Sequence, residues 1–192
     1  MTKPEETPVP DQPEKDVVAL LLEQHDRIRR LLDEVDQAAT VETRTERFDE
    51  LRALLAVHET AEELVTHPRA RMGEASGVVD VLLAEEHEGK ELLANLEKLD
   101  VGSDEFGTAF RELRTAVVRH ADHEERDEFP RLCEDNDETT LRAMAAAVRA
   151  AEAVAPTHPH PRAGESATVN AAVGPVVGLA DRVRDAVRSV LG

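Results

Sequence analysis

The chain has 192 residues, a net charge of −18, no Trp, no Tyr and four Phe. That length suits one domain with tails, and Leu, Val and Ala must fill its interior, which favours helices over sheet. The acidity argues against nucleic acid and anionic membranes as partners, and the longest strongly apolar run, VVALLL at 17–22, is far too short to span a bilayer.

Residues 1–14 carry four prolines and read as a disordered tail. They hold no apolar h-region, so no signal peptide is expected and the cytoplasm is the expected compartment. A first helical pattern, about 15–36, places Val18, Leu21, His25, Ile28, Leu32 and Val35 in one stripe. A second, about 43–66, runs through Phe48, Leu51, Leu55, His58, Glu62 and Val65. A third, about 77–99, has Val79, Leu83, His87, Leu93, Leu96 and Leu99. A fourth, about 104–127, runs through Phe106, Phe110, Leu113, Val117, His120 and Glu124. The breaks DQAATVET, PRARMGEASG and DVGSDEFG hold the turn residues that a bundle needs. A fifth helix is predicted at about 138–154, so that residues 15–155 form the bundle domain. Residues 156–174 read as a linker, and an amphipathic helix follows over 175–192, opened by Pro175. Its Val stripe must pack on the bundle or on another chain, which makes it the expected route to a homo-oligomer. The single cysteine, Cys133, excludes an intrachain disulfide and reads as a small buried apolar residue.

The second and fourth helices carry the same pattern at an offset of 62 residues: His58 matches His120, Glu62 matches Glu124, and Pro68-Arg69 matches Pro130-Arg131. The first and third share it, with LLLEQH ending at His25 and LLAEEH ending at His87. In an antiparallel pair, two residues share a level when the turn lies midway between them. The midpoints of His25/His58, His58/His87 and His87/His120 all fall in the breaks. An up-down-up-down four-helix bundle therefore brings four histidines to one height near mid-bundle, with Glu62 and Glu124 one turn from theirs on the same face. Four imidazoles and two carboxylates in an apolar interior are costly unless something offsets them. They exceed the needs of one closed zinc site and suit two metals sharing carboxylates. Imidazole with carboxylate favours iron, with manganese and zinc as alternatives.

The set H…HxxxE…H…HxxxE, over about residues 16–135, resembles the hemerythrin family in its HHE cation-binding form. The resemblance implies an all-α, hemerythrin-like bundle with additional C-terminal helices. It also implies two non-heme iron ions, with His25, His58, His87 and His120 as ligands and Glu62 and Glu124 bridging. The oxygen-carrying members have a further histidine where this chain has Glu91. Candidates for another ligand are Glu59, Glu91 and His123; Glu91 matches Arg29 in the first repeat and reads as a solvated charge. His67 takes the place of Phe129 and reads as a packing residue at the bundle end. The function expected is binding or turnover of O2, peroxide or NO, a catalase-like activity included. The alternative is an iron- or oxygen-sensing module acting through a partner or oligomer.

Overall fold

The computed structural model of the chain describes residues 15–73 and 76–154, together with Asp185. The expected tail over 1–14, linker over 156–174 and last helix over 175–192 lie outside the described residues, apart from the helical Asp185.

Every regular element among the described residues is helical. Helix α1 (Val17–Asp36) is opened by Asp16, whose carboxylate accepts from the Ala19 amide at 2.8 Å. Helix α2 (Val41–Ala61) is capped by Thr40 and helix α5 (Asp104–His123) by Ser103, each side chain accepting an amide of the first turn. Helix α4 (Ser76–Leu96) and α7 (Glu138–Val154) complete the long elements. The second and fourth rods do not stop where the sequence pattern suggested. Each passes through one π-helical turn, Glu62–Thr66 and Glu124–Glu128, and continues as α3 (His67–Arg71) and α6 (Phe129–Asp135). The prolines explain this. Pro68 and Pro130 have no N–H to donate, and in a regular α-helix their rings would strike a carbonyl one turn back. The wider turn just before them moves that carbonyl away, with the His67 amide donating to Glu62 and the Phe129 amide to Glu124.

The rods alternate up and down, as the repeat predicts. Arg47 meets Glu34 near the α1–α2 turn and His58 meets His25 further from it, which is an antiparallel pairing. Helix α4 pairs with α5, and α7 lies against α1 and α2. The apolar core falls into two clusters. One, around Phe48, Phe106 and Phe110, fills the end near the α1–α2 turn; its rings meet edge-on or stacked at 5.1–6.3 Å. The other, around Leu21, Ala61, Phe129 and Met144, includes the buried face of α7. Between them lies a layer of buried polar side chains: Gln24, His25, His58, Glu62, Glu86, His120 and Glu124. Cys133, expected to be buried, is exposed, because α6 turns only its Phe129 and Leu132 inward. No helix among the described residues is long and apolar enough to cross a membrane.

Candidate metal centre

The polar layer is built from the outside inwards. Gln24 lies one residue before His25 on α1, and its amide donates to Glu152 of α7 at 2.9 Å, which fixes its orientation. Its oxygen therefore faces His58 Nδ1, which donates to it at 2.7 Å. On the other side, His25 Nδ1 donates to Glu125 Oε1 at 2.8 Å, and Arg29 holds the same carboxylate oxygen at 2.8 Å. Both rings thus carry their proton on Nδ1 and turn Nε2 inward, where the two Nε2 atoms stand 3.1 Å apart. Phe129 stacks on the His25 ring at 5.5 Å and keeps it upright.

Two carboxylates close on the same point. Glu62 Oε2 is 3.3 Å from His58 Nε2, and Glu124 Oε2 is 3.2 Å from His25 Nε2. Donor atoms of His25, His58, Glu62 and Glu124 all lie within 4.8 Å of one another, and all four residues are buried. Donor atoms of a second group, His67, Glu124 and Glu128, are as close to one another, so Glu124 belongs to both sets. His120 joins from α5, with Nε2 3.3 Å from the other Glu124 oxygen.

The electrostatics show what this arrangement lacks. Burial, with the neighbouring His25, pushes His58 well below the usual imidazole range. Burial, with the neighbouring Glu124, pushes Glu62 well above the usual carboxylate range. Both oxygens of Glu62 and Glu128 Oε2 are buried without a well-formed hydrogen bond. Glu124 instead has His25 and His120 as ion-pair partners at 3.2 and 3.3 Å. Against the cost of burial, this pairing raises His120 to about 9 and holds Glu124 below the usual carboxylate range. Each of the Glu62 oxygens and Glu128 Oε2 carries a cost of roughly 1–3 kcal/mol in the metal-free protein. A proton relieves one or two of these atoms. A metal ion engages two imidazole nitrogens and two carboxylate oxygens at once, the donor chemistry that suits iron, manganese or zinc. The outer contacts from Gln24 and Glu125 are those that orient ligating histidines. The residues present therefore fit a bound cation.

The family profile of the hemerythrin HHE cation binding domain matches residues 16–132, more than half of the chain. The chain belongs to this family. A solved hemerythrin HHE cation binding domain-containing protein from Mycobacterium kansasii superposes with a TM-score of 0.64 at 22% identity, over 92% of this chain and 99% of that one. It shares the fold. A curated relative, the DNA nickase of Nostoc sp., is 27% identical over 115 residues, 60% of this chain. This chain spans about a third (33%) of that relative's length.

Within the hemerythrin-like frame, the structure brings together His25, His58, Glu62, His120 and Glu124. It does not bring His87 to them, and the reading of His87 as a ligand is corrected here. Its side chain is 76% exposed and lies 3.5 Å from Glu91, itself 71% exposed, so neither faces the centre. The reason is the register of α4. Its inward stripe is Val79, Leu82, Glu86, Gly89, Leu93 and Leu96, an alternation of three and four that leaves His87 about 100° off the seam. That alternation was available in the sequence; the match with His25 hid it. Glu86 is the inward residue, 2% exposed.

Of the further candidates, Glu59 lies beside His58 at the edge of the centre, and burial, only partly offset by Lys90, lifts its carboxyl to about 7. His123 is half-buried and its Nδ1 donates to Glu85 at 2.9 Å, on the outer side of α5. His67 is not a packing residue. It is buried, with Nδ1 donating to Glu128 at 2.8 Å and Nε2 to Glu86 at 2.6 Å. Burial opposes its charge, but the two carboxylates outweigh that and raise it to about 10. Neither Glu86 nor Glu128 stood out in the sequence. Glu128 matches Thr66 in the repeat, and it faces inward because the π-helical turn adds a residue to the buried face.

Proposed function

We propose that this HHE domain holds two non-heme iron ions in the buried layer and binds or turns over a small ligand there: peroxide, O2 or NO. The observation that carries the reading is the pair of buried donor groups sharing Glu124, with both Glu62 oxygens and Glu128 Oε2 lacking a hydrogen-bond partner. His25, His58, Glu62 and Glu124 would hold one ion; Glu124 and Glu128 offer carboxylate donors for the other, with His120 beside Glu124. His67 would join them only on giving up a proton and its hydrogen bond to Glu128 or Glu86. Bound iron supplies Lewis acidity and one-electron redox chemistry at that point.

The chain's own residues shape what happens around it. Gln24 and Glu125 hold the His58 and His25 rings with Nε2 inward, so the donor set needs little reorganisation. Ile28, Leu55, Val117 and Ala121 wall the face beside His58 and His120 and limit access of water. Glu59 and Glu86 border the same face, and a Glu59 carboxyl near neutrality can give or take a proton at its carboxylate oxygen. No Tyr or Trp exists to hold a radical, which favours chemistry confined to the metal pair and a small ligand. The net charge of −18 supports a function without a nucleic-acid partner.

The test is metal analysis and peroxide consumption by the full chain, purified without a tag and loaded with ferrous iron under anaerobic conditions. About two iron atoms per chain and measurable turnover are expected. Stoichiometric iron without turnover of peroxide, together with reversible NO binding, moves the function to ligand binding. No iron uptake refutes the proposal.

A further inference from the structure

Gly89 sits in the interior of α4, where glycine costs about 1 kcal/mol relative to alanine. It is buried, yet a Cβ built on it would meet no atom within 4 Å. Close helix contact, the usual reason for a buried helical glycine, is therefore absent. What lies against it is empty space, and that space is organised. An inner cavity of about 20 Å³, room for a single water-sized molecule, is lined by His25, His58 and His120. An outer cavity of about 250 Å³ lies between α2, α4 and α5, walled by Ala56, Leu93 and Leu113. The two share Leu55, Glu59, Gly89 and Val117. At the rim of the outer one, Lys90 reaches across to Glu63 at 2.6 Å, and both side chains are more than 40% exposed (45% and 42%). The two cavities thus share a wall, the outer one mostly apolar and the inner one facing the imidazoles.

We propose that small neutral molecules reach the metal centre by a passage through both cavities, and that the missing side chain at Gly89 keeps its inner neck open. The inference rests on the metal-centre reading above and adds the route and its selectivity. The inner cavity has room for one water-sized molecule, so the passage favours the smallest ligands. The apolar walls favour uncharged ones. A Cβ at Gly89 would stand in the shared wall more than 4 Å from every donor atom.

The experiment uses the iron-loaded full chain and three variants. Gly89→Leu narrows the neck, Leu93→Phe fills the outer chamber only, and Gly107→Leu adds the same bulk on α5 at another helical glycine with open space around it. Iron content and melting temperature are measured first, then the rate of NO association with the ferrous protein by stopped flow. All three variants are expected to hold wild-type iron. Gly89→Leu should melt at or above wild type, because it removes a helical glycine. Its NO association should slow at least about tenfold, since entry then waits on a structural opening. Leu93→Phe should slow it in the same direction, and Gly107→Leu should not. Wild-type association rates in iron-loaded Gly89→Leu or Leu93→Phe overturn the passage and leave the metal centre standing. A wild-type chain that takes up no iron overturns both.

Discussion

Replacing Glu62 by Gln separates a metal centre from a purely structural polar layer, because the two readings give opposite signs. The Glu62 carboxyl is fully buried, with neither oxygen hydrogen-bonded, 3.3 Å from His58 Nε2 and beside Glu124. Without metal, burial and the neighbouring Glu124 oppose its charge, so an amide of the same shape removes a liability. The metal-free variant should melt at or slightly above wild type. With metal, the same change deletes one of four converging donors. Even loss of an outer contact costs about 10–100-fold in metal affinity, so loss of a donor should exceed about 100-fold, or about 2.7 kcal/mol. A metal present at ~1,000 times its dissociation constant stabilises the fold by about 4 kcal/mol, and most of that gain should vanish in Glu62→Gln. In melting temperature the difference is on the order of 10 °C for a domain of this size. The assay is thermal melting of wild type and variant in chelator and in excess ferrous or zinc ion, with bound metal counted in parallel. An equal metal-induced rise in both proteins refutes the assignment of Glu62 as a donor.

Other substitutions probe the remaining layers. Glu125→Gln and Gln24→Leu should each weaken metal binding by about 10–100-fold without abolishing it, since Glu125 and Gln24 set the ring orientation of His25 and His58; competition against a graded chelator reads this directly. His87→Ala should leave metal content and melting temperature within error of wild type, because the side chain is solvated; loss of metal in this variant would place α4 in a different register. The metal-free protein should lose stability as pH rises from 6.5 towards 10. Folded His67 keeps its proton to about 10 while the unfolded residue gives it up near 6.5, so the stabilisation is complete below 6.5 and gone above 10. Its size is on the order of a few kcal/mol. His67→Phe should therefore be less stable than wild type near pH 6 and approach it near pH 10; parallel pH profiles would show that His67 is not the titrating group.

Much of the architecture was legible because the repeat imposes it. The 62-residue offset relates two helix pairs, and equal spacing about the turns puts His25, His58 and His120 at one height in any up-down bundle. What was not legible has two physical causes. Sequence identity between repeats does not fix rotation about a helix axis. His87 matches His25 by position, but the alternation Val79, Leu82, Glu86, Gly89 turns Glu86 inward instead. A π-helical turn also changes the count of residues per turn, so a 3.6-residue wheel assigns the wrong face beyond Glu62 and Glu124. That is why His67 read as packing and Glu128 was overlooked. The prolines that follow both turns are the visible sign of the irregularity.

The most direct measurement is an anaerobic ferrous titration of the tag-free chain, followed by elemental analysis and an absorption spectrum after exposure to air. With no Trp or Tyr, the protein itself contributes almost nothing in the near ultraviolet. The account predicts saturation at about two iron atoms per chain, new ligand-to-metal bands above 300 nm on oxidation, and loss of both in Glu62→Gln and Glu124→Gln. A chain that binds no iron, with a melting temperature indifferent to iron, manganese, zinc and chelator alike, would contradict it.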